Sequence, residues 1–169
     1  MKIFVCLKHV PDTAINIKVA GTNGYDDSDV KFIPNPYDEV AIEEAVRIVE
    51  EQGGEVVIIT VGKPDAAATI RGAMAMGADR AILVKTNQQF LDSSLTAEAL
   101  KAAIEADGMP DMIFTGKGSV DTEGFQTHYR LARALGLPVV NDVSVLTLEN
   151  QAVQVQRETG SGEKQVIRM

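Results

Sequence analysis

The segment Thr115-Gly116-Lys117-Gly118-Ser119-Val120-Asp121-Thr122 holds the densest set of groups that could bind charge. It supplies two glycines, a hydroxyl and a lysine just ahead of a helical pattern. Backbone N–H groups at such a strand-to-helix turn cradle a phosphate, and the helix dipole adds to the attraction. The segment contains neither GxxxxGK[ST] nor GxGxxG, the loops of two common nucleotide-binding motifs. On local chemistry alone it reads equally as a glycine-bearing connection with Asp121 or Thr122 as a helix cap. Other residues offer less. Cys6 lies within an apolar strand, where a free thiol is usually a small core residue rather than a redox group. His9 and His128 have no ligand cluster at metal-binding spacing and read as surface or loop residues. Ser119 has no partner base evident in the sequence, which argues against a nucleophile. Met74 and Met76 flank helix-packing positions and read as core filler.

Strands alternating with helices position these groups. Lys2 to Leu7 is a short apolar run that reads as a buried strand, ended by Pro11, which has no N–H for a ladder. Asn23-Gly24 signals a tight turn, so residues 13 to 34 read as a hairpin excursion with Val30 to Ile33 returning. Asn35 as cap, Pro36 at the first helical position, and Asp38 and Glu39 in the first turn start a helix. Its apolar face is expected at Ile42, Ala45, Val46 and Val49, with Glu43 paired to Arg47 and Gly53-Gly54 as the stop. Glu55 to Val61 is continuously apolar, as in a strand covered on both faces of a parallel sheet. An alanine-rich helix runs through Met76 to Gly77, and Arg80 to Val84 is a third strand. Asp92-Ser93 caps a helix from about Leu95 to Ala106, and Asp111 to Thr115 is the fourth strand. A helix is expected from about Thr122 to Ala134, then a short fifth strand at Leu137 to Val140. Beyond Asn141 three stretches (Val143 to Leu148, Gln151 to Glu158, Gln165 to Arg168) alternate without intervening helices, the mark of an antiparallel tail.

The pattern predicts an α/β fold with a mainly parallel, doubly wound sheet and a short antiparallel C-terminal tail. At 169 residues the chain suits one domain over residues 1–169. Its composition is globular, and its single cysteine excludes an intramolecular disulfide. A net charge of −8 argues against a nucleic-acid coat or membrane-surface role. No apolar run reaches the ~20 residues of a membrane span, and the opening is too quickly polar for a secretory signal, so a cytoplasmic location is expected. In an open parallel sheet, ligands bind outside the carboxyl ends of the strands where strand order reverses. That rule selects Lys8 to Asp12, Thr60 to Pro64, the residues after Val84, and Gly116 to Thr127, joined by the helix start at Asn35 to Asp38.

Taken together, IFVCLKHVPDT, Asn35-Pro36-Tyr37-Asp38-Glu39 followed by AIEEAVRI, TIRGAMAMGADRAILV (Thr69 to Val84) and PDMIFTGKGSVDTEGFQT (Pro110 to Thr127) resemble the β subunit of electron-transfer flavoprotein. The resemblance covers nearly the whole chain. It implies a nucleotide-binding α/β domain of the adenine-nucleotide hydrolase-like type. It implies a non-catalytic electron-carrier subunit that pairs with an FAD-bearing α subunit. Through that complex the partners would be acyl-CoA or other flavin dehydrogenases and a quinone reductase or other acceptor. In the common form the β subunit binds a structural AMP; in a bifurcating form FAD occupies that site. Carried over by position, the cofactor-binding residues are Cys6, Asn35, Pro36, Tyr37, Asp38, Val61, Gly116, Lys117, Gly118, Ser119, Val120, Asp121, Gln126 and Thr127.

The chain departs from the family pattern at His128, where a glycine is usual, and at Thr122-Glu123-Gly124, where an acidic run is usual. It stops at Arg168-Met169 inside an expected strand, so a fragment without the partner-recognition loop is expected. Thr127 resembles the AMP-binding pattern, with a hydroxyl for a terminal phosphate. The FAD pattern has valine, glycine and proline there. Bulky His128 and Tyr129 would crowd a second phosphate if they face the site, and decide nothing if they lie on the outer helix face. AMP is therefore favoured over FAD. A free-standing ATP-binding module of the universal-stress type is the alternative, but it expects a second glycine-serine pair beyond the first, and residues 124–132 read GFQTHYRLA. An ATP-pyrophosphatase needs an SGGxD-like loop after the first strand, where this chain has Lys8-His9-Val10-Pro11-Asp12.

Overall fold

In chain order the first half comprises Lys2–Cys6 (β1), His9–Pro11 (β2), Lys18–Ala20 (β3), Gly24–Asp26 (β4), Phe32–Pro34 (β5), Pro36–Gln52 (α1) and Glu55–Gly62 (β6). Then follow Ala66–Met74 (α2), Arg80–Lys85 (β7), Ser93–Asp107 (α3), Met112–Thr115 (β8) and Thr127–Leu135 (α4). Val143–Glu149 (β9), Ala152–Glu158 (β10) and Lys164–Arg168 (β11) complete the chain. This computed structural model describes residues 1–22, 24–149 and 152–169. Two compact units, Met1–Leu137 and Pro138–Met169, divide it. Among the described residues, no helix is long and apolar enough to cross a membrane.

In the first unit, β7, β6, β1 and β8 lie side by side in that order, all parallel. Side chains of a strand point alternately to its two faces. Phe4, Val57 and Ile59 therefore share one face, where they pack with Ala97, Leu100 and Ile104 of α3 and Leu131 of α4. The alternate residues Ile3, Val5 and Ile58 are fully buried on the other face, which α1 and α2 cover with Ile42, Ala45, Ile48, Ile70 and Ala73. Two-sided cover explains why the strands read as unbroken apolar runs, and the predicted doubly wound parallel sheet is what forms. In the second unit β11, β10 and β9 form an antiparallel sheet, the tail expected from the loss of helical pattern.

Several local expectations are corrected. Val30 to Ile33 does not return the small hairpin. That hairpin is β3 with β4, and Phe32–Pro34 pairs instead with His9–Pro11. The first strand thus ends at Cys6, ahead of Pro11, which is instead the last residue of β2 in a two-strand ribbon. The Asn23 half of the expected turn lies outside the described residues, as does Gln151 at the start of the second tail stretch. The buried face of α1 is Asp38, Ala41, Ile42, Ala45 and Ile48, one step from the expected set, with Val46 and Val49 half-buried at its margin. Arg47 pairs with Glu44 and Glu51 rather than Glu43. Helix α2 ends at Met74, two residues early, and α3 starts at Ser93, where Asp92 accepts from Ser94 N and Leu95 N. No strand forms at Leu137 to Val140. Gly136 turns left-handed at φ 69°, Leu137 N closes the helix on Ala132 O at 2.9 Å, and Pro138 has no N–H to offer. Helix α4 begins at Thr127 rather than Thr122, because Glu123 and Phe125 hold φ of 47° and 48°, outside the right-handed helical region.

Candidate functional site

The chain runs outward from β1 through β6 to β7, then crosses back to β8 on the far side of β1. Strand order therefore reverses between β1 and β8, and a crevice opens beyond their carboxyl ends. One side chain ties those ends together. Asp38, in the first turn of α1, accepts from Lys8 N at 2.8 Å and from Gly116 N at 2.9 Å. Asp38 is only 5% exposed. Burial pushes its carboxyl up to about 6, against the downward pull of the Lys8 N–H, the Asn35 amide, the Gly116 N–H and the Lys8 charge. The sign for stability follows from the raised value. The folded state holds a proton that the unfolded state, titrating near 3.8, releases. This contribution is present below pH ~4 and is lost as pH rises through 6, amounting to about 3 kcal/mol. Urea denaturation at pH 4.5 and pH 7 is expected to show wild type losing stability relative to Asp38→Asn at the higher pH. Equal differences at both would remove Asp38 as the titrating group.

Asn35 precedes α1 and is 1% exposed, yet it makes no side-chain cap. Its Nδ2 donates to Gly118 O at 2.8 Å and its Oδ1 accepts from Val120 N at 3.2 Å. Its own N–H donates to Lys8 O at 2.9 Å. The helix start predicted as a cap is therefore a clamp that shapes the loop between β8 and α4. Gly116 touches the backbone of α1, where a Cβ would lie 2.7 Å from Tyr37 Cβ and 2.8 Å from Tyr37 C. Gly118 passes under Phe125, whose ring carbons a Cβ would meet at 2.5 and 2.6 Å. The loop then turns through Glu123 N to Ser119 O, 2.9 Å, and enters α4 at Gln126. Gln126 stands at the N-cap position without capping; its Oε1 accepts from Arg130 Nη2 at 2.8 Å.

The crevice is a cavity of about 630 Å³, within the ~300–1,000 Å³ common for small-molecule sites. Of the residues carried over from the resemblance, Cys6, Asn35, Asp38, Val61, Gly116, Gly118, Ser119, Asp121, Gln126 and Thr127 line it. Pro36, Tyr37, Lys117 and Val120 do not line it. Pro36 and Tyr37 belong to the first turn of α1, Lys117 Nζ lies over the Tyr37 ring at 5.0 Å, and Val120 N is held by Asn35. Burial, with the Asp38 charge adding to it, pushes the Cys6 thiol up to about 12, so it stays protonated as an apolar wall. His9 lines the cavity, stacks on Phe32 at 4.2 Å and shares a 2.7 Å hydrogen bond with Thr69 Oγ1. Burial lowers its pKa, with Asp65 opposing, so it is a structural histidine, neutral near pH 7.

The sequence pattern did not single out several lining residues as ligands. Tyr25 and Asp27 come from the hairpin excursion, and Lys63, Gln89 and Phe90 from the loops after β6 and β7. Gln89 Nε2 donates to Tyr25 O at 3.0 Å and Lys63 Nζ meets Asp27 Oδ2 at 2.5 Å, joining the excursion to the sheet ends. The rule for strand carboxyl ends marked these loops but not which side chains would turn inward. Lys8 was inside a marked segment and was likewise not singled out.

Residues 22–168 match the family described as electron transfer flavoprotein domain. The electron transfer flavoprotein subunit beta of Bradyrhizobium diazoefficiens is 38% identical over 166 residues, covering 96% of this chain and 65% of that one. The chain belongs to the electron transfer flavoprotein domain family. The mitochondrial electron transfer flavoprotein subunit beta of Arabidopsis thaliana is 37% identical over the same shares of both chains. A third relative, the acryloyl-CoA reductase electron transfer subunit gamma of Anaerotignum propionicum, is 32% identical over 96% of this chain and 62% of its own. The chain thus spans under two-thirds of the length of these relatives. Both β-subunit departures noted in the sequence fall on the site. Thr122 and Gly124 line the cavity, as does His128, whereas Tyr129 is 41% exposed and lies off it.

Proposed function

We propose that this chain is the nucleotide-binding part of a cytoplasmic electron-carrier subunit, a β subunit that holds AMP and pairs with an FAD-bearing α subunit. In this reading the pair passes electrons from acyl-CoA or other flavin dehydrogenases to a quinone reductase or other acceptor. The chain itself is a carrier component rather than an enzyme. The FAD of the α subunit supplies the redox chemistry, and this chain's residues bind and orient.

The observation that carries the reading is the clamped loop at the switch point. Asn35 and Asp38 fix Gly116 to Val120 through backbone groups, and the loop leads into an α4 N-terminus whose N-cap residue, Gln126, makes no side-chain cap. Uncapped N–H groups and the helix dipole favour an anion there. Cys6, Val61 and Leu100 give the same cavity an apolar side fit for a purine face. Thr127 at the first helical position offers a hydroxyl to a terminal phosphate. His128 on the cavity wall narrows the space in which a second phosphate and a flavin would have to run, and this supports AMP over FAD. Mass spectrometry of the small molecules released on denaturing the purified protein is expected to find AMP. Release of FAD instead would overturn that choice.

A further inference from the structure

We propose that Lys8 is a phosphate ligand held in reserve by Asp121, and that it exchanges this carboxylate for the phosphate of the bound nucleotide. The proposal rests on the nucleotide reading above. Lys8 Nζ lies 2.7 Å from Asp121 Oδ1, 3.2 Å from Ser119 Oγ and 3.3 Å from Thr122 Oγ1, all on the cavity wall. A lysine so placed is open to a plainer role as a strut that holds the loop to the end of β1.

The loop does not need that strut. Gly116 N is bound by Asp38, Gly118 O and Val120 N by Asn35, and Glu123 N by Ser119 O. Asn35 and Asp38 are in turn bound to the backbone of Lys8 itself, so β1 and the loop stay joined whatever its side chain does. The Lys8 side chain is 41% exposed and the Asp121 side chain 16%, so of the two groups the ammonium is the one more open to an incoming ligand. The two lysines on the cavity wall are Lys8 and Lys63, and Lys63 is engaged by Asp27 on the excursion. Lys117, the lysine of the loop itself, lies over the Tyr37 ring and does not line the cavity. Among the described residues, Lys8 is therefore the lysine of the cavity wall that already reaches the loop between β8 and α4. An ammonium that reaches two hydroxyls and a carboxylate at once is in a position to donate to phosphate oxygens in the same place.

Exchange and strut differ in the sign of one substitution. If Asp121 competes with phosphate for Lys8, Asp121→Asn frees the ammonium and AMP binds more tightly. If the pair is a strut, breaking it from either side weakens binding. Calorimetric titration of AMP and adenosine into wild type, Lys8→Met, Lys8→Arg and Asp121→Asn decides between them. The expected result is AMP affinity lowered by about tenfold or more in Lys8→Met, largely recovered in Lys8→Arg, and raised several-fold in Asp121→Asn. Adenosine, which has no phosphate, is expected to bind all four alike. AMP affinity falling in both Lys8→Met and Asp121→Asn, or staying unchanged in Lys8→Met, overturns the exchange while leaving the nucleotide site intact. Binding of neither AMP nor adenosine to wild type overturns both.

Discussion

Gly116→Ala is expected to destabilise the protein by about 3 kcal/mol and to abolish nucleotide binding. An added methyl would meet Tyr37 Cβ at 2.7 Å, Tyr37 C at 2.8 Å and Asp38 Oδ1 closer still. Two of those three atoms belong to the first turn of α1 and its helical backbone, and the third is the carboxylate that joins β1 to β8. None is the free end of a flexible side chain, so relief requires the helix start or the strand end to shift. Overpacking of this kind costs ~1–3 kcal/mol. The shift also breaks the buried bond from Gly116 N to Asp38, and an orphaned buried donor adds ~1–3 kcal/mol. Gly116 does not adopt a positive φ, so the effect is one of space, not of backbone conformation. Gly72→Ala is the control. It lies exposed in α2 with nothing within 4 Å of its Cβ position, and is expected to raise stability by ~0.5–1 kcal/mol through helix propensity. Denaturant melts of both variants check the pair. Equal midpoints for wild type and Gly116→Ala would mean that α1 is not held against β8 as described.

Asn35→Ala is expected to cost about 2 kcal/mol and to weaken nucleotide binding by roughly ten- to a hundredfold, since it removes two bonds to partly buried backbone groups, each worth ~0.5–1.5 kcal/mol or more where the partner is left orphaned. The substitution leaves Gly118 O and Val120 N without their partner, while the helix it precedes loses no cap, because Asn35 makes none. The damage should therefore appear in the loop and not in α1. Amide exchange is the measurement. Val120 and its neighbours should exchange faster in the variant while Ala41 to Ile48 keep their protection. Faster exchange confined to α1 would show that Asn35 acts as a helix cap after all. Asn35→Asp is the stricter test, because its carboxylate would keep the bond from Val120 N but face Gly118 O without a donor, and it should weaken binding nearly as much.

The fold was largely legible because its signals are local. Continuous runs such as Glu55 to Val61 mark strands covered on both faces, and Pro36 at the first helical position with Gly53 beyond marks both ends of α1. The doubly wound order then pointed by rule to a candidate site at the carboxyl ends of the strands. What escaped was set by contacts distant in sequence or by backbone torsions that residue type does not announce. Asn35 looks like a cap from its neighbours, but its partner is Gly118, 83 residues away. Lys8 finds its three loop oxygens 111 to 114 residues away. The late start of α4 follows from left-handed torsions at Glu123 and Phe125, residues that rarely adopt them and that no turn motif predicts. Leu137-Pro138-Val139-Val140 is apolar enough for a strand, yet its first N–H is spent closing α4 and its second residue has none.

Titration of AMP into the purified chain by calorimetry tests the central claim most directly. A nucleotide site at the switch point predicts saturable binding of one AMP per chain, lost in Gly116→Ala and weakened in Asn35→Ala. No saturable heat with the folded wild-type chain, or affinity unchanged by both substitutions, would contradict it.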